Sequence, residues 1–464
     1  MIEASNMHGH DGAFSADKFG NEMFKRDYRV KYAYVAGAMY KGIASVEMVV
    51  AMAKAGLMSF LGAGGLSNTV LEQAIVDIQA ALTEGETFGV NLLPDYATPE
   101  KEMKRVDILL RHNVRYVEAA AYIELTPAVV RYRLQGLHRN ERGEVQCSNT
   151  VMAKVSHSDV AEIFMRPAPT SMVNKLLSQG LVTAEQAELA SQVPLAQDIC
   201  VEADSGGHTD RGNAYVLLPA IMHLKEQLQA QQQYGQPVRV GLAGGIGTPE
   251  AVMTAFFLGA DFITTGSINQ CSVEAATSSA VKDLLQTINI KDTGYAPAGD
   301  MFETGATVQV LKKGVFFPSR ANKLYRLYNQ YQSLDDMPED VIRQLERSLF
   351  KCSIDEIWQQ TRTYMQNSRP AQLKLIETNP RKKMAAVFRW YFIQTTRLAL
   401  RGDEHNKVDY QVHCGPALGA LNQLLQGTAQ EHWQNRSVVW LCEYLMNGAA
   451  RLLSKRFRQF SSGY

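Results

Sequence analysis

Three short segments gather the residue types from which a chemical site could be built: VEADSGGHTD (Val201 to Asp210), GLAGGIGTPEA (Gly241 to Ala251) and TTGSINQC (Thr264 to Cys271). In the second, Gly244, Gly245 and Gly247 allow a turn at positive φ around Ile246, and Thr248-Pro249 then opens a helix with Glu250 in its first turn. Free N–H groups and the positive end of the helix dipole favour a phosphate at such a turn. Gly266 and Ser267 make a second turn of this kind after the run Phe262 to Thr265. The first segment brings together an acid, Glu202, two glycines, Gly206 and Gly207, and a histidine, His208. The glycines would let the backbone approach a flat ligand closely, leaving the imidazole beside it as a donor or acid near neutral pH. The competing reading is a plain loop turn in which His208 caps a helix.

Positioning these turns requires strands ahead of them, and short β-rich apolar runs supply eight in order. They are Tyr34 to Ala36, Ser59 to Leu61, Phe88 to Leu92, Arg115 to Glu118, Thr150 to Val155, Ile199 to Ala203, Val238 to Ala243 and Phe262 to Thr265. Between them, Val46 to Ala55, Val70 to Leu82, Met103 to Leu110 and Ala251 to Leu258 carry apolar residues at helical spacing, as crossovers of parallel strands require. Phosphate turns after two consecutive strands are characteristic of strands seven and eight of a (β/α)8 TIM barrel. An α/β barrel is therefore the expected fold class.

The chain, at 464 residues, exceeds the roughly 250 of a bare barrel, so additions are expected. The barrel is expected over 1–317, with a helical hairpin inserted at about 172–192 around Gly180. A helical subdomain follows over 318–383, after the eighth strand, and a helical segment over 384–464 packs back on the barrel. With 47 basic and 47 acidic residues, no global field draws the chain to nucleic acid or an anionic membrane. The six cysteines show no C-x-x-C and no ligand-like spacing with histidine, which points to reduced thiols, no metal site and a cytoplasmic location. The N-terminal stretch MIEASNMHGHDGAFSADKFG lacks the apolar core of a secretion signal, and no run of about 18 apolar residues exists to span a membrane.

The three segments, together with KDLLQ, YAPAGDMFETGATVQVLKKGVFFPSRANKLY, RWY and DYQVHCGPALGALN, resemble the PfaD-type trans-acting enoyl reductases of polyunsaturated fatty acid synthases and of polyketide synthases with free-standing acyltransferases. The resemblance runs from about Tyr34 to Arg451. Nitronate monooxygenases of the wider superfamily carry the shorter EAGGH where this chain reads EADSGGH. The family fold is an FMN-bearing barrel with a helical insertion like that of malonyltransferases. No G-x-S-x-G nucleophile elbow accompanies it, so acyl transfer is not expected.

The resemblance implies roles for particular residues. The FMN phosphate would lie on Gly244, Gly245, Ile246, Gly266 and Ser267. The loop Gly37, Ala38, Met39 would pass along the isoalloxazine, with Gly206 and Gly207 nearby. Asn91 and Lys154 would reach its polar edge, and Glu202 would bind flavin or orient loops. The competing readings are a rim lysine for Lys154 and a strand-end cap for Asn91. NADPH would reduce the FMN, and a 2-enoyl thioester on an acyl carrier protein would then accept hydride at Cβ. His208 is the candidate catalytic residue, as donor to the thioester or acid for Cα. No G-x-G-x-x-G fingerprint calls for a separate NADPH domain. Lys312, Lys313, Arg320, Lys323 and Arg326 form a basic stretch that could meet an acidic carrier protein. A nitronate monooxygenase and a catalytically idle scaffold are the alternatives to be separated from the reductase.

Overall fold

The computed structural model describes residues 14–461, so residues 1–13 of the N-terminal stretch read above for a leader lie outside the described residues. The described residues form two compact units, one of 14–203, Gly212–Ala276 and 434–461 and the other of Asp204–Arg211 and Thr277–Trp433.

In the first unit eight strands close a parallel barrel: Tyr34–Ala36, Met58–Leu61, Gly89–Leu92, Tyr116–Ala119, Thr150–Val155, Asp198–Glu202, Arg239–Ala243 and Ile263–Thr265. They are the eight apolar runs of the sequence, in the same order, and the last pairs with the first through Tyr34↔Ile263. Short strands suffice because closure leaves no unpaired edge. The crossover helices start where small polar caps stand. Ser45, Ser67 and Thr248 each accept an N–H of the first turn of Val46–Lys54, Asn68–Ala81 and Pro249–Phe257. The hairpin at 172–192 consists of Thr170–Ser178 and Ala184–Leu189, joined through Gly180 at φ +66° and started a second time by a capping box on Thr183. The helix Val438–Ser461 packs against Pro249–Phe257, with Gly448 so near that an added Cβ would lie 2.6 Å from Pro249 Cγ.

The N-terminal ends of the barrel strands are plugged. Phe24 stacks between Tyr28 and Phe262 at 4.4 and 4.6 Å. Beside them Arg239, 2% exposed, meets Asp198 through Nε at 2.6 Å and Nη2 at 3.0 Å, and Asp27 through Nη1 at 2.6 Å. Tyr28 donates its hydroxyl to Asp198 at 2.9 Å.

The second unit contains an antiparallel three-stranded sheet in the order Thr293–Pro297, Thr307–Leu311, Gly207–His208. Its core is aromatic: Phe302 lies against Tyr325, Tyr328, Phe388 and Phe392, and Phe317 against Tyr391. These residues come from the loop between the two longer strands and from the helices Phe317–Gln330 and Pro380–Arg401. Arg320, counted above in the basic stretch, is taken up inside this unit, where it pairs with Asp409.

Candidate active site

The two turns at the C-terminal ends of the seventh and eighth barrel strands have the shape an anion needs. Gly244 and Gly245 adopt φ +92° and +73°, conformations that side chains rarely take. Ile246 is buried and anchors the turn, while Thr248 Oγ1 accepts the N–H of Ala251 at 3.2 Å. The nine-residue helix Pro249–Phe257 begins there, so its first N–H groups lack helical partners. A Cβ built on Gly245 or on Gly266 meets no atom within 4 Å, so both glycines border open space of the kind a ligand would fill. Asn269 holds the second turn by donating Nδ2 to Thr265 O and Oγ1, each at 3.0 Å.

The loop after the first strand is held in place from both sides. Gly37 donates its N–H to Thr265 O at 2.9 Å, and its own would-be Cβ lies 2.8 Å from Thr264 Cγ2. Met39 presents its carbonyl 1.8 Å from where a Cβ on Gly62 would stand, so position 62 must be glycine for this loop to pass. Ala38, between them, packs on the barrel core.

Within the barrel mouth Asn91, Glu118, Lys154 and Glu202 form a polar group. Asn91 is buried and donates Nδ2 to the backbone carbonyl of Glu118 at 3.0 Å and to its Oε2 at 3.3 Å. Lys154 Nζ lies 3.2 Å from Glu202 Oε1, with side chains 19% and 25% exposed. Glu118 is fully buried, and its Oε1 has no hydrogen-bond partner. Burial pushes the Glu118 carboxyl above the usual carboxylate range, although Lys154 pulls the other way. Burial likewise disfavours charge on Lys154, but Glu202 and then Glu118 outweigh it and hold the ammonium charged well above neutral pH. A cation beside an unsatisfied acceptor at the barrel mouth suits the polar edge of a flavin. The open glycine cradle suits its phosphate, so the residues present fit FMN.

Glu118 was missed in the sequence, where it counts only as the end of a strand. The signal was there, since a carboxylate closing an apolar barrel strand points to the face where barrels do chemistry.

In the second unit, His208 Nε2 lies 2.8 Å from Asp300 Oδ1, with side chains 49% and 67% exposed. Gly207, at φ +97°, precedes it, and Gly206 sits where a Cβ on Gly415 would come within 3.0 Å of its nitrogen. The His413 ring is perpendicular to that of His208, with centroids 6.5 Å apart. Asp204, from the same loop, accepts Thr209 Oγ1 at 2.7 Å, Tyr295 OH at 2.5 Å and Gln309 Nε2 at 3.0 Å. Asp300 and His413 were not singled out in the sequence; they lie in the quoted motifs YAPAGDMF and DYQVHCGP, but their pairing with His208 spans up to half the chain.

The chain resembles solved and curated proteins over most of its length. It is 41% identical to the enoyl reductase domain of MlnA, from the macrolactin biosynthesis cluster of Bacillus amyloliquefaciens, over 95% of this chain and 99% of that one, at a TM-score of 0.92. It is 53% identical over 96% of its length to the polyketide biosynthesis protein PksE of Bacillus subtilis, and 43% identical over 88% to a component of the polyunsaturated fatty acid synthase of Thraustochytrium sp.. It spans only 58% and 28% of these two relatives. Residues 331–410 match the family described as acyl-carrier-protein S-malonyltransferase, inserted helical domain. A closed parallel barrel with a helical insertion after its eighth strand defines the class: an α/β barrel carrying a malonyltransferase-type helical insertion. Within it, this chain belongs to the PfaD-type enoyl reductases, the family of the MlnA domain.

Proposed function

We propose that this chain is an FMN-dependent, NADPH-using enoyl reductase that acts in trans, in the cytoplasm, on 2-enoyl thioesters carried by an acyl carrier protein of a polyketide or polyunsaturated fatty acid synthase. The observation that carries the reading is the full-length match to an enoyl reductase domain at 41% identity. Bound in the glycine cradle, FMN would supply hydride chemistry for Cβ of the enoyl thioester at the expense of NADPH. The chain's own residues do the rest. The N–H groups around Gly244, Gly245, Gly266 and Ser267 bind the phosphate, and Gly37 to Met39 support the ring system. Asn91 and Lys154 orient its polar edge, where the ammonium stabilises negative charge and Glu202 keeps that ammonium in place. His208 donates to the thioester oxygen as negative charge builds there, or protonates Cα.

Released cofactor identified by mass spectrometry should be FMN; FAD, or no flavin after reconstitution, would overturn the reading. With NADPH and crotonyl-pantetheine the product should be the butyryl thioester, with little oxygen consumption on alkyl nitronates. The reverse ranking would assign a monooxygenase, and inactivity on both would leave a scaffold.

A further inference from the structure

His208 and His413 share one edge of one strand. Along Thr307–Leu311, His208 stands opposite Val308 and His413 opposite Val310. Positions two apart on a strand face the same side, which is why the two imidazoles become neighbours although 205 residues of chain order separate their numbers, 208 and 413. Gly207 completes the contact: its would-be Cβ lies 3.7 Å from His413 Nδ1.

The two rings have unlike partners. A carboxylate, Asp300, stands 2.8 Å from His208 Nε2, whereas His413 Nε2 meets an uncharged amide, Gln411 Nε2, at 3.0 Å. Gln411 is itself held by Thr395 Oγ1 and Thr396 Oγ1 at 3.2 and 3.1 Å. Other charges on the surrounding elements are engaged elsewhere. Asp204 is bound to Tyr295 and Gln309, Arg211 lies over the Tyr295 ring at 4.1 Å, Glu303 pairs with Arg389 at 2.8 Å, and Asp409 takes Tyr391 OH at 2.9 Å. Asp210, on the His208 loop, is exposed.

We propose that Asp300 and His413 are positioning residues that make His208 the proton-carrying imidazole of the pair, Asp300 as its counter-charge and His413 as a neutral neighbour. This rests on the enoyl-reductase reading only for its purpose, since the arrangement itself belongs to the second unit. Two protonated imidazoles this close would repel, and the one with the carboxylate keeps the proton. Burial, then His208, lower the His413 value to about 4. Although burial opposes its ionisation, Asp300 is held below the usual carboxylate value by the His208 imidazole.

Imidazole 15N–1H NMR of the flavin-loaded protein between pH 5 and 9, with the two rings assigned by loss of their signals in His208→Gln and His413→Phe, tests this. His413 should remain neutral throughout. The His208 midpoint should fall in Asp300→Asn, recover in Asp300→Glu and stay in place in His413→Phe. The alkaline limb of the pH profile for crotonyl-thioester reduction should move with it, with KM less affected than kcat. A His413 that titrates in the ordinary imidazole range, or a His208 midpoint indifferent to Asp300→Asn, overturns the proposal. The NMR outcome holds whether or not the chain reduces enoyl thioesters, so failure of that activity alone would count against the functional reading instead.

Discussion

The two ends of the barrel are built from the same strands and solve opposite problems. At the start of the sixth and seventh strands, Asp198 and Arg239 are sealed with Asp27 and Tyr28, each charge facing its opposite at 2.6 to 3.0 Å. At the other end of the sixth strand, Glu202 shares Lys154 with a second carboxylate, Glu118, that keeps one oxygen unsatisfied, and the neighbouring glycine turns open on empty space. A mutually satisfied ion group at the strand starts suits a structural role, whereas the group with an unpaired acceptor stands at the strand ends, the face where barrels do chemistry. The difference teaches that position on the barrel, together with an unpaired acceptor, marks the polar group to test for function.

The largest expected effect breaks the sealed end. Arg239→Met leaves the fully buried Asp198 carboxylate without its ion partner and should destabilise the protein by about 3–5 kcal/mol in urea unfolding. A loss below about 1 kcal/mol would mean that this end is not a structural plug. Next, Gly245→Asp attacks the open end. It sets a carboxylate where phosphate belongs and should weaken FMN retention by about 10²-fold or more, at a stability cost of only about 1–2 kcal/mol for a side chain at φ +73°. Full flavin occupancy in this variant would displace the phosphate site from the turn.

A smaller effect comes from Glu118. Its folded-state value is raised above that of the unfolded chain, so the folded protein holds this proton more tightly. The resulting stability is fully present below the unfolded carboxyl range and is lost as pH rises through the folded value. Glu118→Gln should therefore flatten the decline of stability above about pH 4.5 by no more than about 1.4 kcal/mol per pH unit, the limit for one proton. An unchanged slope in pH-dependent unfolding would show that Glu118 is not the group that titrates. The smallest effect reads the layer between the two ends. Burial pushes the Cys200 thiol up to about 12, and its Sγ lies 3.4 Å from Thr264 Oγ1. In the folded protein Cys200 should resist alkylation at pH 8.5 while the half-buried Cys147 and Cys352 are modified. Rapid labelling of Cys200, followed by peptide mass spectrometry, would mean that water reaches the barrel centre.

The barrel was legible because each strand is a compact apolar run and its turns announce themselves with glycine, so local pattern and global closure agree. Strand ends shift by a residue, as with Tyr116–Ala119 for Arg115 to Glu118, because ladder pairing with Gly89–Leu92 decides them. The residues that join distant segments were less legible. Thr293–Pro297 contains Gly and Pro and reads weakly as a strand alone, and although Thr307–Leu311 is β-rich, its pairing with Thr293–Pro297 on one side and Gly207–His208 on the other exists only once the chain has folded. Glu118 carries no motif, and its meaning comes from Lys154 and Asn91 converging on it. The His208 loop was readable from its glycines, but the partners that give the imidazole its chemistry were not.

The way the helical insertion leaves and rejoins the sheet bears on how such a protein can be taken apart. Leu311, the last residue before the helical excursion, donates its N–H to the carbonyl of Val412, the point of return, at 2.8 Å, and residues 331–410 lie wholly between them. A subdomain whose two ends are hydrogen-bonded neighbours is a side loop grafted onto a continuous ribbon. Since closure entropy grows only logarithmically with loop length, evolution could lengthen, shorten or exchange that graft while the ribbon beneath kept its register. The junction at Leu311 and Val412 is thus a natural seam for building chimaeras, where one insertion can be traded for another provided that Gln411 and its partners Thr395 and Thr396, which hold His413, are carried over.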